Sequence, residues 1–294
     1  MKYLDPKALR KIENLRLAAR GVVEGFISGL HKSPYHGFSV EFSEYRKYAP
    51  GDDLKHLDWK VYAKSDKAYI KQYEEETNLK AHLLLDVSAS MGYGADDALT
   101  KLEYGCYLCA AIAHLLVRQQ DSVGLVTFHR EITEFLPPRS GPMHLRDLLT
   151  VIERQEPKEE TGVAKTFHDL AERLKRRGLI IVISDLLDDP VEALSGLSHF
   201  RQKKHEVIVF HVMDPHEVEF PFDGMTTFRD METQERLQVL PSMIREDYLR
   251  LLEEHVSTFR RGCSERRIEY VKADTRMPFE LLLASFLRKR MRAG

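Results

Sequence analysis

Asp86-Val87-Ser88-Ala89-Ser90 sets a carboxylate and two hydroxyls at alternate positions. The stretch follows the apolar run Ala81 to Leu85, which reads as a buried parallel strand. The polar side chains therefore leave the carboxyl end of a strand, the edge where open α/β sheets bind ligands. Every donor is a hard oxygen, a set that suits Mg²⁺ or Mn²⁺ far better than Zn²⁺. A divalent ion needs more than one loop. Ser184-Asp185 ends a second apolar run, Leu179 to Ile183, in the same way. Thr161, in the polar loop Glu159-Glu160-Thr161-Gly162, precedes a predicted helix. Asp86, Ser88, Ser90, Thr161 and Asp185 could thus converge from three loops. The pentapeptide alone serves a strand-end turn equally well, because Asp and Ser bond to nearby backbone.

Other chemistries fit less well. No G-x-S-x-G frame surrounds Ser88 or Ser90, which counts against a serine hydrolase. An aspartyl-phosphate phosphatase is the better enzymatic alternative, with Asp86 and Asp185 at two strand ends. It needs a second carboxylate two residues after the nucleophile, and that position is Ser88. Gly92-Tyr93-Gly94 lacks the third glycine of a dinucleotide loop, and no phosphate-binding G-x-x-x-x-G-K-[ST] occurs. Cys106-x-x-Cys109 lies inside a predicted helix, so it reads as core packing; a zinc site needs a second pair, and Cys263 stands alone. The thirteen histidines are scattered without zinc-motif spacing. Asp214-Pro215-His216-Glu217 follows another predicted strand at the same edge, where Asp214 caps a loop, stands just outside the site or meets a partner.

The elements that must position these residues alternate. Strands are predicted at 81–86, 122–128, 131–136, 179–184, 205–212 and 267–272. Helices are predicted at 99–119, 143–154, 163–177, 190–202, 241–261 and 278–290. The pattern is that of an α/β, doubly wound, mostly parallel sheet. The runs 123–128 and 131–136 read as a hairpin, which puts one antiparallel strand at an edge. Gly178 and Gly262 read as helix stops, and Pro241 opens a long helix with Ile244, Tyr248, Leu251, Leu252, Val256 and Phe259 on its buried side. Residues 225–240 read as a second hairpin turning around Glu232-Thr233. Residues 1–78 form an N-terminal elaboration before a main domain at 79–294. Within it, Leu9, Ile12, Leu15, Ala19, Val22 and Phe26 make a helical stripe, Phe38, Val40 and Phe42 alternate as a strand, and Ala68-Tyr69-Ile70 forms a second. The first helix is basic as well as amphipathic; docking on its own domain is favoured over a membrane or partner face.

With 294 residues and 43% hydrophobic content, the chain can bury a sizeable core. A net charge of −2 argues against a dedicated nucleic-acid binder, despite the terminal Arg288-Lys289-Arg290. No apolar run approaches the ~20 residues of a membrane span, and the N-terminus has no apolar signal core. Three cysteines make no disulfide framework, which points to a reducing cytoplasm.

Asp86-x-Ser88-x-Ser90, a later loop Thr and a later strand-end Asp resemble the metal-ion-dependent adhesion site (MIDAS) of von Willebrand factor A domains. The preceding segment narrows the resemblance. Arg46-Lys47-Tyr48-Ala49-Pro50-Gly51-Asp52-Asp53, then Leu57-Asp58-Trp59-Lys60, then Glu74-Glu75-Glu76, resembles the bacterial "domain of unknown function 58" family, which pairs such a segment with an A-type domain. The resemblance implies a von Willebrand factor A-like, Rossmann-like fold. It implies a Mg²⁺ held directly by Ser88 and Ser90, by Asp86 and Asp185 mostly through water, and by Thr161 directly or through water. It further implies an open coordination position for an Asp or Glu carboxylate from a protein partner. The family's association with MoxR-type AAA+ ATPases implies an adaptor or assembly role without catalysis. Glu159-Glu160 stands where many A domains carry Gly-Gly, which leaves Thr166 as the substitute for Thr161; Lys55-His56 also departs from the family pattern. The alternatives are a metal-dependent hydrolase or phosphatase in the same pocket, and a structural module with an empty site.

Overall fold

The computed structural model describes residues 19–20, 22–23, 45–47, 69–71, 79–95, 98–158, 163–279 and 281–284. The chain forms two compact units, Met1–Gly29 with Leu79–Gly294, and Leu30–Asn78. In the smaller unit β1 (Tyr45–Lys47) pairs antiparallel with β2 (Tyr69–Lys71), which sets Arg46 opposite Ile70. The strand expected at Phe38–Phe42, the Pro50–Asp53 segment, Lys55-His56, Trp59 and Glu74–Glu76 lie outside the described residues.

The larger unit runs β3 (Lys80–Asp86), α1 (Lys101–Arg118), β4 (Ser122–Phe128), β5 (Ile132–Arg139), α2 (Pro142–Glu153), α3 (Val163–Arg173), β6 (Leu179–Ser184) and α4 (Pro190–Gln202). It continues through β7 (Glu206–Met213), α5 (Pro215–Glu219), β8 (Thr226–Arg229), β9 (Arg236–Val239), α6 (Pro241–Glu265) and β10 (Glu269–Asp274). Six strands make one sheet in the order β10-β7-β6-β3-β4-β5. All neighbours are parallel except β4 and β5. The antiparallel partner is thus an edge strand, where Pro137 and Pro138 are tolerated because they fall at a register shift between the Leu125–Leu136 and Val123–Arg139 pairs. β8 and β9 form the second hairpin, closed by residues 230–235.

Continuous apolar runs make the central strands, because both faces of a parallel sheet are covered. On one face Leu84, Val126, Ile180, Val182, Val207 and Val209 pack against Phe167, Leu170, Leu197, Phe200 and Phe259 of α3, α4 and α6. On the other, Leu85 and Ile183 lie beneath Gly105 of α1, where a Cβ would stand 3.2 Å from both. Glycine there lets α1 settle close to the sheet. Cys106 and Cys109 are buried in this helix, and burial pushes the Cys106 thiol up to about 12, so neither is a ready thiolate. Ala19 and Val22, the described members of the first helical stripe, are fully buried. Among the described residues no helix is long and apolar enough to cross a membrane.

Two glycines play other parts than the expected stops. α3 ends at Arg173, and Gly178 instead admits the Lys80 carbonyl oxygen where β6 begins beside β3. α6 runs on to Glu265, and Gly262 inside it gives room to Leu194 of α4. Leu251 is 56% exposed rather than on the buried side of α6. The expected C-terminal helix is described only at Phe279 and residues 281–284, which are helical.

Two histidines make the fold acid-sensitive. Burial, aided by His205 and Lys80, lowers His82 to about 4, and burial lowers His211 to about 3. An unfolded histidine binds its proton near 6.5, so the unfolded state gains protons first. Their contribution is complete above that value and is lost as pH falls below it. Thermal melts should show a falling midpoint between pH 7 and pH 5. His82→Leu, which removes an Nδ1 without a hydrogen-bond partner, should flatten that slope by about one proton.

Candidate metal centre

β3 is the first strand of the sheet. The chain then builds β4 and β5 on one side before crossing to β6, β7 and β10 on the other. The reversal lies between β3 and β6, and the crevice at their carboxyl ends is where doubly wound sheets bind ligands. Asp86 is the last residue of β3 and Ser184 the last of β6. Leu85 registers with Ile183, so the two ends are neighbours. Sheet pairing thereby joins two segments far apart in sequence.

Asp86 is fully buried. Its Oδ1 accepts the Ser88 N–H at 2.9 Å, and its Oδ2 accepts the Ser184 hydroxyl at 2.5 Å. Burial and the charge of Asp185 push its pKa up to about 7, against the pull of these bonds. Among the described residues no lysine, arginine or histidine pairs with it. Ser88 and Ser90 are buried, with their Oγ atoms 3.1 Å apart. A short 3-10 turn, Ala89–Gly92, holds them, anchored by the buried Met91 and closed by the Met91 N–H on the Ser88 carbonyl. Gly92 allows the close approach of Pro157, whose Cγ would stand 2.8 Å from a Cβ there. Lys158 donates its N–H to the Val87 carbonyl at 2.7 Å and bridges to Ser88, so the backbone at Lys158 passes beside the motif. Thr161 itself lies outside the described residues. Its substitute Thr166 is buried on α3, and its hydroxyl donates to the Arg130 carbonyl at 3.1 Å.

Asp185 is buried beside Asp86, but its Oδ2 is taken by the Lys101 ammonium at 2.8 Å. Lys101 also meets Glu217 Oε1 at 2.5 Å. Burial opposes the charge on Lys101, yet Asp185 and Glu217 outweigh it and raise its pKa. Burial raises Glu217, which outweighs the opposing pull of Lys101. Asp214 caps α5: its Oδ1 accepts the His216 N–H at 2.8 Å, and Glu217 returns a bond to its N–H at 2.9 Å. Its Oδ2 reaches the Ala95 N–H at 3.0 Å, tying the loop after the serines to the end of β7. The capping role expected for Asp214 is thus met, and its Oδ2 also braces the loop after the serines.

The residues fit a hard cation through hydroxyls rather than through an acidic cluster. Among the described residues no group of three or more His, Cys, Asp or Glu converges as a metal site. The Ser88–Ser90 spacing of 3.1 Å is within a few tenths of an ångström of the edge of an octahedron with Mg–O bonds of 2.0–2.1 Å, about 2.9 Å. Asp86, a buried carboxylate without a counter-ion among the described residues, stands two residues before the first of these serines. Sequence reasoning missed Ser184 as the Asp86 partner, Lys101 and Glu217. The spacing of Asp214 and Glu217 carried a capping signal; a lysine opening a helix carries no signal for burial.

The chain resembles proteins of several bacteria. It is 28% identical to the uncharacterized protein Rv1480 of Mycobacterium tuberculosis over 268 residues, 88% of this chain and 83% of that protein. It is 28% identical to the uncharacterized protein YeaD of Bacillus subtilis over 126 residues, 43% of this chain and 29% of that one. The crystal structure of a conserved hypothetical protein, BatB from Bacteroides thetaiotaomicron, superposes with a TM-score of 0.51 at 18% identity, over 73% of this chain and 99% of that one, and so shares the fold. Residues 44–258 match the family model "Protein of unknown function DUF58", and the chain belongs to that family.

Proposed function

We propose that this chain is a Mg²⁺-dependent protein-interaction module with a von Willebrand factor A-like site, acting without catalysis of its own. Ser88 and Ser90 hold the ion directly, Asp86 and Asp185 act mostly through water, and Thr161 completes the shell. When bound, the ion supplies one electrophilic position for an Asp or Glu carboxylate of a partner protein. The observation that carries this reading is the buried hydroxyl pair, 3.1 Å apart, beside an Asp86 that no described cation neutralises. Neutral direct ligands leave the ion's charge available to an incoming acid. A partnership with a MoxR-type AAA+ ATPase, as adaptor or assembly factor in the cytoplasm, is part of the proposal and rests on the family resemblance alone.

Calorimetric titration with Mg²⁺ and Mn²⁺ tests the reading. The wild-type chain should bind one ion, and Ser88→Ala should weaken it at least tenfold. Capture of an ATPase partner should be lost in EDTA and restored by Mg²⁺. No binding at millimolar ion sinks the proposal. One observation favours the second reading, a structural module without metal: Lys101 supplies a cation inside the chain. Unchanged capture in EDTA would select it. Turnover of phosphate esters that stops with Asp86→Ala would instead select the enzymatic alternative.

A further inference from the structure

Lys101 is the buried charge that this function leaves unused. Lysine is almost never fully buried unless paired, and Lys101 is 0% exposed although it opens a helix. Its place follows from α1. Lys101 lies four residues before Gly105 and so shares the helix face that rests on Leu85 and Ile183. That face delivers the ammonium to the carboxyl ends of the strands. There it meets Asp185 after β6 at 2.8 Å and Glu217 of α5, after β7, at 2.5 Å. The other oxygen of Glu217 accepts the Asp214 N–H, and Asp214 holds the Ala95 N–H of the loop after Ser90. One ammonium therefore gathers two strand-end segments and the helix that follows the serines. Asp86 receives hydrogen bonds from Ser88 and Ser184 and no described cation. The two neighbouring strand-end aspartates are thus treated differently, one neutralised from within the chain and one not.

We propose that Lys101 is a built-in counter-ion that limits the affinity of the strand-end site for a divalent cation by offsetting the charge of Asp185, an inference that rests on the metal-binding reading above. By holding Oδ2 of Asp185, the ammonium offsets the charge that this carboxylate would otherwise offer the ion through water. Its own positive charge also repels the ion. Ligand charge sets the affinity of oxygen sites for hard cations, so a site built this way binds weakly and leaves the ion open to a partner's carboxylate. Lys101 is a positioning residue here: it acts on the ion through Asp185 and does not ligate it.

The test is calorimetric titration with Mn²⁺ at fixed pH on the full chain. Lys101→Met frees Asp185 and Glu217 and should tighten Mn²⁺ at least tenfold. Glu217→Gln leaves the ammonium to Asp185 alone and should weaken Mn²⁺ about twofold or more. A purely structural role would predict the reverse for Lys101→Met, because disordering Asp185 weakens any site. Equal or weaker binding by Lys101→Met overturns the proposal. Should Lys101→Met lose its cooperative melt in EDTA, its recovery in 10 mM Mn²⁺ supports the proposal, and failure to recover overturns it. If the wild-type chain binds no Mn²⁺, the functional reading fails by itself. Binding gained by Lys101→Met then still supports the counter-ion role, and continued silence overturns that too.

Discussion

Asp86→Asn will make the metal-free protein more stable and deaf to Mg²⁺ and Mn²⁺. The carboxylate is fully buried beside Asp185, and no described cation compensates it. Burial and the neighbouring charge push it up to about 7, far above an unfolded aspartate. The folded protein therefore keeps a proton that the unfolded chain has lost, and this group's contribution falls as pH rises from about 4 to 7. Asparagine removes the charge and keeps the shape. Its oxygen still accepts the Ser88 N–H, and its amide faces the Ser184 oxygen. The gain should be roughly 1–3 kcal/mol at pH 8 and should vanish near pH 4. In a chain of this size that raises the melting midpoint by several degrees. Divalent ion should raise the wild-type midpoint at pH 8 and leave Asp86→Asn unmoved. Melts with EDTA and with 10 mM Mg²⁺ or Mn²⁺ decide it. A variant less stable than wild type in EDTA would show that the carboxylate is not strained, and a retained ion response would remove it from the site.

Phe167→Ala will have the opposite profile, a large loss of stability with the site's chemistry untouched. Phe167 is fully buried on α3, with ring centroids 5.5 Å from Phe128 of β4 and 6.0 Å from Phe200 of α4. It joins two helices to the sheet on the face opposite α1. Truncating such a side chain removes its transfer energy and leaves a cavity that closely packed neighbours fill only in part; the loss is about 3–5 kcal/mol. Total stability is typically about 5–15 kcal/mol, so roughly a fifth or more disappears. The melting midpoint should fall by about 6–20 °C. Phe167→Leu should lose less than half as much. At 10 °C, below its melt, Phe167→Ala should keep an ion affinity within about twofold of wild type, because Asp86 and the serines rest on β3 and the turn after it. A fall of less than about 1 kcal/mol in denaturant unfolding would show that α3 is not a structural keystone.

The strands were legible because parallel sheets demand nearly continuous apolar runs, and Ala81–Leu85, Leu179–Ile183 and Val207–Val212 are such runs, interrupted only by His82 and His211. The edge hairpin was legible through the short gap between β4 and β5. Helix ends were read less well. A glycine marks either a stop or a close approach, and Gly178 and Gly262 are close approaches to Lys80 and Leu194. That difference depends on what lies across the gap. Leu251 fell at an apolar spacing, yet packing turns it to solvent.

For the site, residue type and strand-end position marked Asp86, Ser88, Ser90 and Asp185 as candidates, although the pentapeptide alone serves a strand-end turn equally well. The sequence also sets their chemistry as hard oxygen donors, and residues 44–258 set the family. Which of them meet was decided only by the tertiary fold. The crossover that places β6 beside β3 brings Ser184 onto Asp86, and the descent of α1 over Gly105 carries Lys101 to Asp185 and Glu217. Local sequence specifies what a side chain can donate or accept. Whether its charge is already neutralised depends on partners 84 and 116 residues away, and only chain packing supplies them.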